Sequence, residues 1–184
     1  MAVSDRVPAL IAVDWGTTRL RVRLVDARGH VLATAESSDG IGQLDGGHEQ
    51  AFSRLVSEWP RLPAIMTGMV GSRQGWHEAA YVPCPATEAS IAERILRFET
   101  SDGRPAAIIP GLSLDVPSRD GDVMRGEETQ MIGLIVREPG FRGVAICPGT
   151  HSKWTRIADG TIEEFQTILT GDMFAIMQQK SFLR

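Results

Sequence analysis

The apolar positions of this 184-residue chain change period several times, and each change marks an element. Residues 10–14, Leu-Ile-Ala-Val-Asp, are a continuous apolar run ending on a carboxylate, the pattern of a buried strand. Residues 19–26 alternate, with Leu20, Val22 and Leu24 on one side and Arg19, Arg21 and Arg23 on the other, which predicts a half-buried strand. Residues 26–30 read as a hairpin turn and 31–37 as the returning third strand. A Gly- and Asp-rich loop fills 38–47. Phe52, Leu55, Val56 and Trp59 then recur at helical spacing over 48–59, until Pro60 stops the helix. Residues 63–68 predict a fourth strand opening into a glycine-punctuated loop, and 80–86 a short extended piece. Ile91, Ile95 and Phe98 share one helical face, which predicts a second helix over 88–99. Residues 105–111 read as a fifth strand, followed by a polar loop containing Asp115, Pro117, Asp120, Gly121 and Asp122. A helix over 126–138 carries acids in its first turn, as the helix dipole favours.

The pattern then restarts. Residues 143–147 are another apolar run, and a shift of 133 aligns Gly16 with Gly149, Thr17 with Thr150, Arg23 with Arg156 and Leu24 with Ile157. Each copy reads strand, Gly-Thr turn, strand, hairpin turn, strand, and the second ends in the start of a helix from Gly171. Three meandering strands followed by alternating helices and strands predict an α/β protein, a mixed sheet flanked by helices. The expected organisation is one lobe at 1–142 and the beginning of a second, similar lobe at 143–184. A second lobe built like the first needs two more strands, so the expectation is the N-terminal portion of a longer protein. A complete chain with a small appended hairpin is the alternative.

Composition narrows the function classes. The apolar fraction of 42% and charged fraction of 23% are globular values. A net charge of -4, with scattered basic residues, argues against nucleic-acid binding. No apolar run approaches the ~20 residues of a membrane helix, and the N-terminus lacks the pattern of a signal peptide. Cys84 and Cys147, far apart, read as free thiols in a reducing cytoplasm rather than a disulfide or zinc set, and the four histidines show no ligand spacing.

The candidate chemistry lies in the turns. Gly16, Thr17 and Thr18 follow the strand that ends near Asp14, and Gly149, Thr150 and His151 follow its repeat. Glycine permits close backbone approach, outward N–H groups form an anion nest, and threonine hydroxyls add donors for phosphate oxygens. Two such turns facing each other would clamp phosphates. Asp14 accepts only, and so suits Mg²⁺ held through water beside those phosphates. An Asx-stabilised hairpin without a ligand is the plainer reading of Asp14–Thr18. Glu127 and Glu128 open a helix at the strand-exit end of the sheet, where a carboxylate can take the proton of an attacking hydroxyl; as dipole partners they need no such role. Arg125 beside them suits an anionic substrate, or is simply a solvated cation. In 67–76, Gly71 and Ser72 offer polar contacts and Trp76 a pocket wall, although Trp76 is equally a core residue and Arg73 merely exposed.

Asp-Trp-Gly-Thr-Thr at 14–18 resembles the first phosphate motif of the sugar kinase/heat-shock-ATPase/actin superfamily. Together with MTGMVGSRQGW at 66–76, IIPGL at 108–112, VMRGEETQ at 123–130, PGTHSKW at 148–154 and TGDMF at 170–174, it is similar to the 2-dehydro-3-deoxygalactonokinase family. The resemblance implies a ribonuclease-H-like actin/sugar-kinase fold and two lobes closing over sugar and ATP. It implies transfer of the ATP γ-phosphate to the terminal hydroxyl of 2-dehydro-3-deoxy-D-galactonate, with ATP as the cofactor alongside the Mg²⁺ expected at Asp14. Asp14, Gly16, Thr17 and Thr18 match the first phosphate motif, and Gly149, Thr150 and His151 the second. Glu127 or Glu128 falls where related kinases place the catalytic carboxylate, and Gly71, Ser72 and Trp76 in the loop that lines the sugar site; a carboxylate substrate suits an arginine partner, with Arg125 the first candidate. The superfamily's adenosine motif is expected beyond Arg184. Other sugar or polyol kinases, and non-catalytic ATPase clamps or regulators, share the fold. The implied partners are small molecules in the cytoplasm, with no nucleic acid or membrane, and homo-oligomerisation is left open.

Overall fold

A computed structural model describes residues 6–115 and 121–180. The middle of the predicted polar loop, with Pro117 and Asp120, lies outside the described residues. The chain divides into two compact units, residues 1–80 with 92–111, and residues 81–91 with 112–184.

The first unit is built on a six-stranded sheet. Strands β1 (Pro8–Trp15), β2 (Leu20–Asp26) and β3 (Val31–Ser37) form the expected antiparallel meander. Helix α1 (His48–Val56) follows, and β4 (Ala64–Gly68) then lies parallel to β1, pairing Ile11–Trp15 with Ala64–Gly68. The region after it holds β5 (Val82–Pro83), β6 (Ala86–Thr87) and helix α2 (Glu88–Ala92). The chain then returns as β7 (Leu96–Glu99) and β8 (Pro105–Ile108), giving the order β3-β2-β1-β4-β8-β7. The alternation of Val13, Trp15, Leu20, Val22 and Leu24 with polar neighbours buries one face of the sheet against Phe52 and Val56 of α1.

One predicted element is corrected. The helix expected over 88–99 stops at Ala92, and Leu96–Glu99 is a strand. Ile91, Ile95 and Phe98 do share a helical spacing. Leu96-Arg97-Phe98-Glu99 also alternates, however, and antiparallel pairing of Phe98 with Ala106 and Leu96 with Ile108 selects the extended form.

The second unit holds two sheets. Strands β9 (Leu112–Leu114) and β10 (Asp122–Met124) join β5 in the order β10-β9-β5. Helix α3 (Glu127–Arg137) follows the second of these strands. Then β11 (Gly143–Cys147), β12 (His151–Ala158) and β13 (Thr161–Leu169) make another antiparallel meander, with β6 at its edge. Helix α4 (Gly171–Lys180) comes next, so the order β1-β2-β3-α1 recurs as β11-β12-β13-α4.

A buried lysine ties β10 to this meander. Lys153, 7% exposed, donates from Nζ to the Val123 carbonyl and to Thr167 Oγ1, each at 2.5 Å. Asp122 accepts from the Thr167 N–H at 2.7 Å and its hydroxyl at 2.6 Å. A buried ammonium is tolerated only when partnered in this way. The lock fixes the strand that leads directly into Arg125 and Glu127.

Candidate active site

In the first unit, Asp14 lies at the end of β1, beside Arg21 on one neighbouring strand and Thr67 on the other. Its Oδ2 is 3.0 Å from Arg21 Nη1, in a pair about 40% exposed on each side. The same guanidinium reaches Glu36 at 3.8 Å. The next residue, Trp15, is fully buried, and its indole N–H donates to the Asp39 carbonyl at 2.7 Å. Strand β1 is thus pinned into the core one residue after Asp14, and the turn projects from a fixed base.

The turn is closed by the Gly16 N–H donating to the Arg19 carbonyl at 2.9 Å, with Thr17 and Thr18 exposed. Its carbonyls are tied from outside the hairpin. Ile41 donates its N–H to the Gly16 carbonyl at 3.0 Å, and Gly42 donates to the Thr17 carbonyl at 2.9 Å. In the second unit, the Gly171 N–H donates to the Gly149 carbonyl at 3.2 Å and the Asp172 N–H to the Thr150 carbonyl at 3.0 Å. Each Gly-Thr turn is therefore strapped by the segment that follows the third strand of its own meander. Sequence reading missed these straps; a glycine shortly after the third strand in both copies was the available signal.

At the start of α3 the two carboxylates differ. Glu128 is fully buried, accepting from the Gly126 N–H at 2.6 Å and the Thr129 hydroxyl at 3.2 Å. It caps its own helix, whose first N–H groups lack intrahelical partners. Glu127 Oε2 is buried and has no hydrogen-bond partner among the described residues. Glu127 also influences Cys147 at the end of β11, whose thiol is pushed up by burial and then by that carboxylate's charge. Cys147 directly precedes the Pro148-Gly149-Thr150 turn, so Glu127 and the second Gly-Thr turn share one end of this unit. Gly126, at φ +108°, makes the bend between β10 and α3 that only glycine adopts readily. The Arg125 guanidinium sits 4.4 Å over the Tyr81 ring.

In the loop after β4, Gly71 is buried, and the Ser72 hydroxyl is buried without a hydrogen-bond partner. The Trp76 ring packs in an aromatic cluster, 6.3 Å from Trp15, 6.0 Å from Phe52 and 5.2 Å from Phe98. Arg73 is exposed. His151 is also exposed, at the start of β12. Cys84 and Cys147 are free thiols.

A family model described as 2-keto-3-deoxy-galactonokinase matches residues 14–184, from the Asp14 that borders the first turn through the second turn and α4. The chain belongs to the 2-keto-3-deoxy-galactonokinase family. A Rhizobium meliloti (strain 1021) protein named "Probable 2-dehydro-3-deoxygalactonokinase" is 40% identical over 176 residues, covering 94% of this chain and 57% of that protein. The 2-dehydro-3-deoxygalactonokinase of Escherichia coli (strain K12) is 36% identical, over 94% of this chain and 58% of its own length. A crystal structure from Sinorhizobium meliloti, bearing the same kinase name, superposes with a TM-score of 0.86 at 37% identity, covering 95% of this chain and 58% of that one. The chain thus spans a little over half the length of these kinase-family relatives. The mixed α/β sheet flanked by helices agrees with the actin-like sugar-kinase fold expected from the motifs.

Proposed function

We propose that the protein is a carbohydrate-acid kinase, moving the γ-phosphate of ATP to the terminal hydroxyl of 2-dehydro-3-deoxy-D-galactonate to give the 6-phosphate. The observation that carries this reading is the pair of strapped Gly-Thr turns within a chain of the galactonokinase family. Thr17, Thr18 and the Gly16 turn are assigned to one set of phosphate oxygens, and Gly149, Thr150 and His151 to another. Such charge-directed N–H and hydroxyl donors are the main contribution a protein makes to phosphoryl transfer.

The donor set suits Mg²⁺ held weakly by protein. Among the described residues no group of three or more His, Cys, Asp or Glu side chains could hold a metal ion. Mg²⁺ asks for less, keeping most of its waters and one or two carboxylates besides the phosphates. Asp14, half-exposed with one oxygen on Arg21, fits a single contact through water. When bound, the ion would neutralise phosphate charge.

Glu127 is assigned as the base that accepts the hydroxyl proton, because its Oε2 has no partner while Glu128 is committed to Gly126 and Thr129. Arg125, held over Tyr81, is assigned to the substrate carboxylate, and Ser72 Oγ and Gly71 to its hydroxyls, with Trp76 backing that loop. A cytoplasmic setting agrees with the two free thiols. No helix among the described residues is long and apolar enough to cross a membrane.

The test replaces Glu127 and Glu128 separately by glutamine in the protein with its full catalytic machinery. Glu127→Gln should lower kcat by about 10²-fold or more, the scale of a lost general base, with an unchanged melting temperature. Glu128→Gln should lower stability by about 1–3 kcal/mol through its weakened cap contacts. Undiminished kcat in Glu127→Gln removes the base assignment. Preference for a neutral sugar over the keto-deoxy acid in a substrate panel removes the acid-kinase reading.

A further inference from the structure

The two straps share more than their hydrogen bonds, because each presents a glycine where the turn leaves no room for a side chain. A Cβ on Gly40, which is buried, would lie 2.3 Å from the Thr18 carbonyl carbon and 2.4 Å from the Thr17 oxygen. A Cβ on Gly171 would lie 2.5 Å from the Gly149 oxygen and 3.1 Å from Thr150 Cα. On Gly42 it would meet Thr17 Cγ2 at 3.0 Å and the Thr17 oxygen at 3.2 Å, a tight fit rather than an impossible one. None of the three has a positive φ, so conformational freedom is not what glycine supplies here. It supplies absence of volume beside the turn backbone.

Peptide geometry says what that closeness achieves. In a trans peptide the carbonyl of one residue and the N–H of the next point in opposite directions. The straps hold the carbonyls of Gly16, Thr17, Gly149 and Thr150 toward themselves. The N–H groups of Thr17, Thr18, Thr150 and His151 are thereby turned away from the straps, two consecutive donors per turn. Two adjacent N–H groups aimed to one side are the arrangement that binds a phosphate oxygen.

We propose that Gly40, Gly42 and Gly171 are positioning residues for phosphate: they touch no ligand, and they aim the turn N–H groups by letting the straps lie against the turn carbonyls. This rests on the kinase reading for its ligand and on the turn geometry for its mechanism. It sets the requirement for glycine after the third strand of each meander, which neither the phosphate turns nor the sheet itself explains.

The experiment uses Gly42→Ala, because the milder contact preserves the fold, in a cycle with Thr17→Ser, which keeps the hydroxyl and removes Cγ2. Inorganic tripolyphosphate is titrated into the parent, both single variants and the double variant, with thermal melts alongside. Gly42→Ala should weaken tripolyphosphate binding by about tenfold with a melting temperature within a few degrees of the parent. Measured against Thr17→Ser, the same substitution should cost less, about threefold, because the nearer contact with Cγ2 is gone while the 3.2 Å contact with the Thr17 oxygen remains. In steady-state assays Gly42→Ala should raise KM for ATP and leave KM for the sugar acid unchanged. Parent-like binding by Gly42→Ala, an equal penalty in both backgrounds, or a parent that binds no tripolyphosphate overturns the inference. A parent that binds tripolyphosphate but phosphorylates no sugar acid removes the kinase reading instead, and the strap result then stands on its own.

Discussion

At the scale of single residues, Cys147 occupies the place in the second copy that Asp14 holds in the first, as the shift of 133 shows. The two turns therefore share a backbone and differ in charge. Asp14 brings a carboxylate balanced by Arg21, whereas Cys147 brings a thiol kept neutral by burial and by Glu127. This gives a reading of Glu127 that is independent of catalysis. Its negative charge disfavours the thiolate, so Glu127→Gln should lower the Cys147 pKa and speed its alkylation at pH 8 severalfold. Site-resolved mass spectrometry after iodoacetamide would show it; an unchanged rate means the two groups do not interact. Cys84, pushed up to about 11 by burial, should remain slow in both proteins and serves as the internal reference.

At the scale of elements, the hairpin between β2 and β3 carries the clearest pH dependence. Asp26 is pulled in two directions: burial raises its pKa, and the N–H groups of His30 and Arg28 with the His30 ring bring it down to about 2. A depressed carboxylate favours folding above its unfolded value of 3.8, and that contribution disappears as pH falls through about 2. Melts of the parent should lose stability across that window more steeply than melts of Asp26→Asn, and parallel curves would contradict the assignment. The β1–β4 seam makes a second prediction. Gly68 sits at φ +95° with the Trp15 carbonyl 2.7 Å from where a Cβ would be, so Gly68→Ala should cost about 1–3 kcal/mol in a denaturant titration.

Elements of this kind were legible where one side chain period ran long enough. The alternating 19–26 strand and the Phe52–Val56 stripe of α1 announced themselves. Strands β5, β6, β9 and β10 are two or three residues long, too short to show a period, and they exist through pairing with distant partners. The 88–99 segment satisfied two periods at once, and contact with β8 decided between them. In the candidate site, the turns were visible because glycine and threonine repeat in them. The difference between Glu127 and Glu128 was not, since adjacent identical residues become distinguishable only when one folds back onto Gly126. The straps and the Lys153 lock were hidden for a similar reason: their partners lie 14 to 30 residues away.

At the scale of the whole molecule, large exposed apolar side chains concentrate in the second unit. Val144, Ile146, Trp154, Ile168, Leu169, Met173, Phe174, Ile176 and Met177 are all more than a third exposed, whereas α1 of the first unit buries Ala51, Phe52 and Val56. Exposed apolar side chains in this number bind hydrophobic dyes and promote association. The 184-residue chain should therefore enhance anilinonaphthalene sulfonate fluorescence and self-associate with rising concentration in light scattering. Replacing Phe174 and Met177 together by serine should reduce both signals, and unaltered signals would place the sticky surface elsewhere.

The strapped turns also carry a lesson about how this chain tolerates change. On the proposed strap mechanism, part of the phosphate contact falls to main-chain N–H groups, which every amino acid except proline possesses. Gly40 and Gly171, where a Cβ would collide with the turn backbone, should then tolerate substitution as poorly as Thr18 and His151, which are assigned to the phosphate itself. A saturation mutagenesis map of the protein would then show intolerance in two layers, at the turns and one layer behind them at the strap glycines.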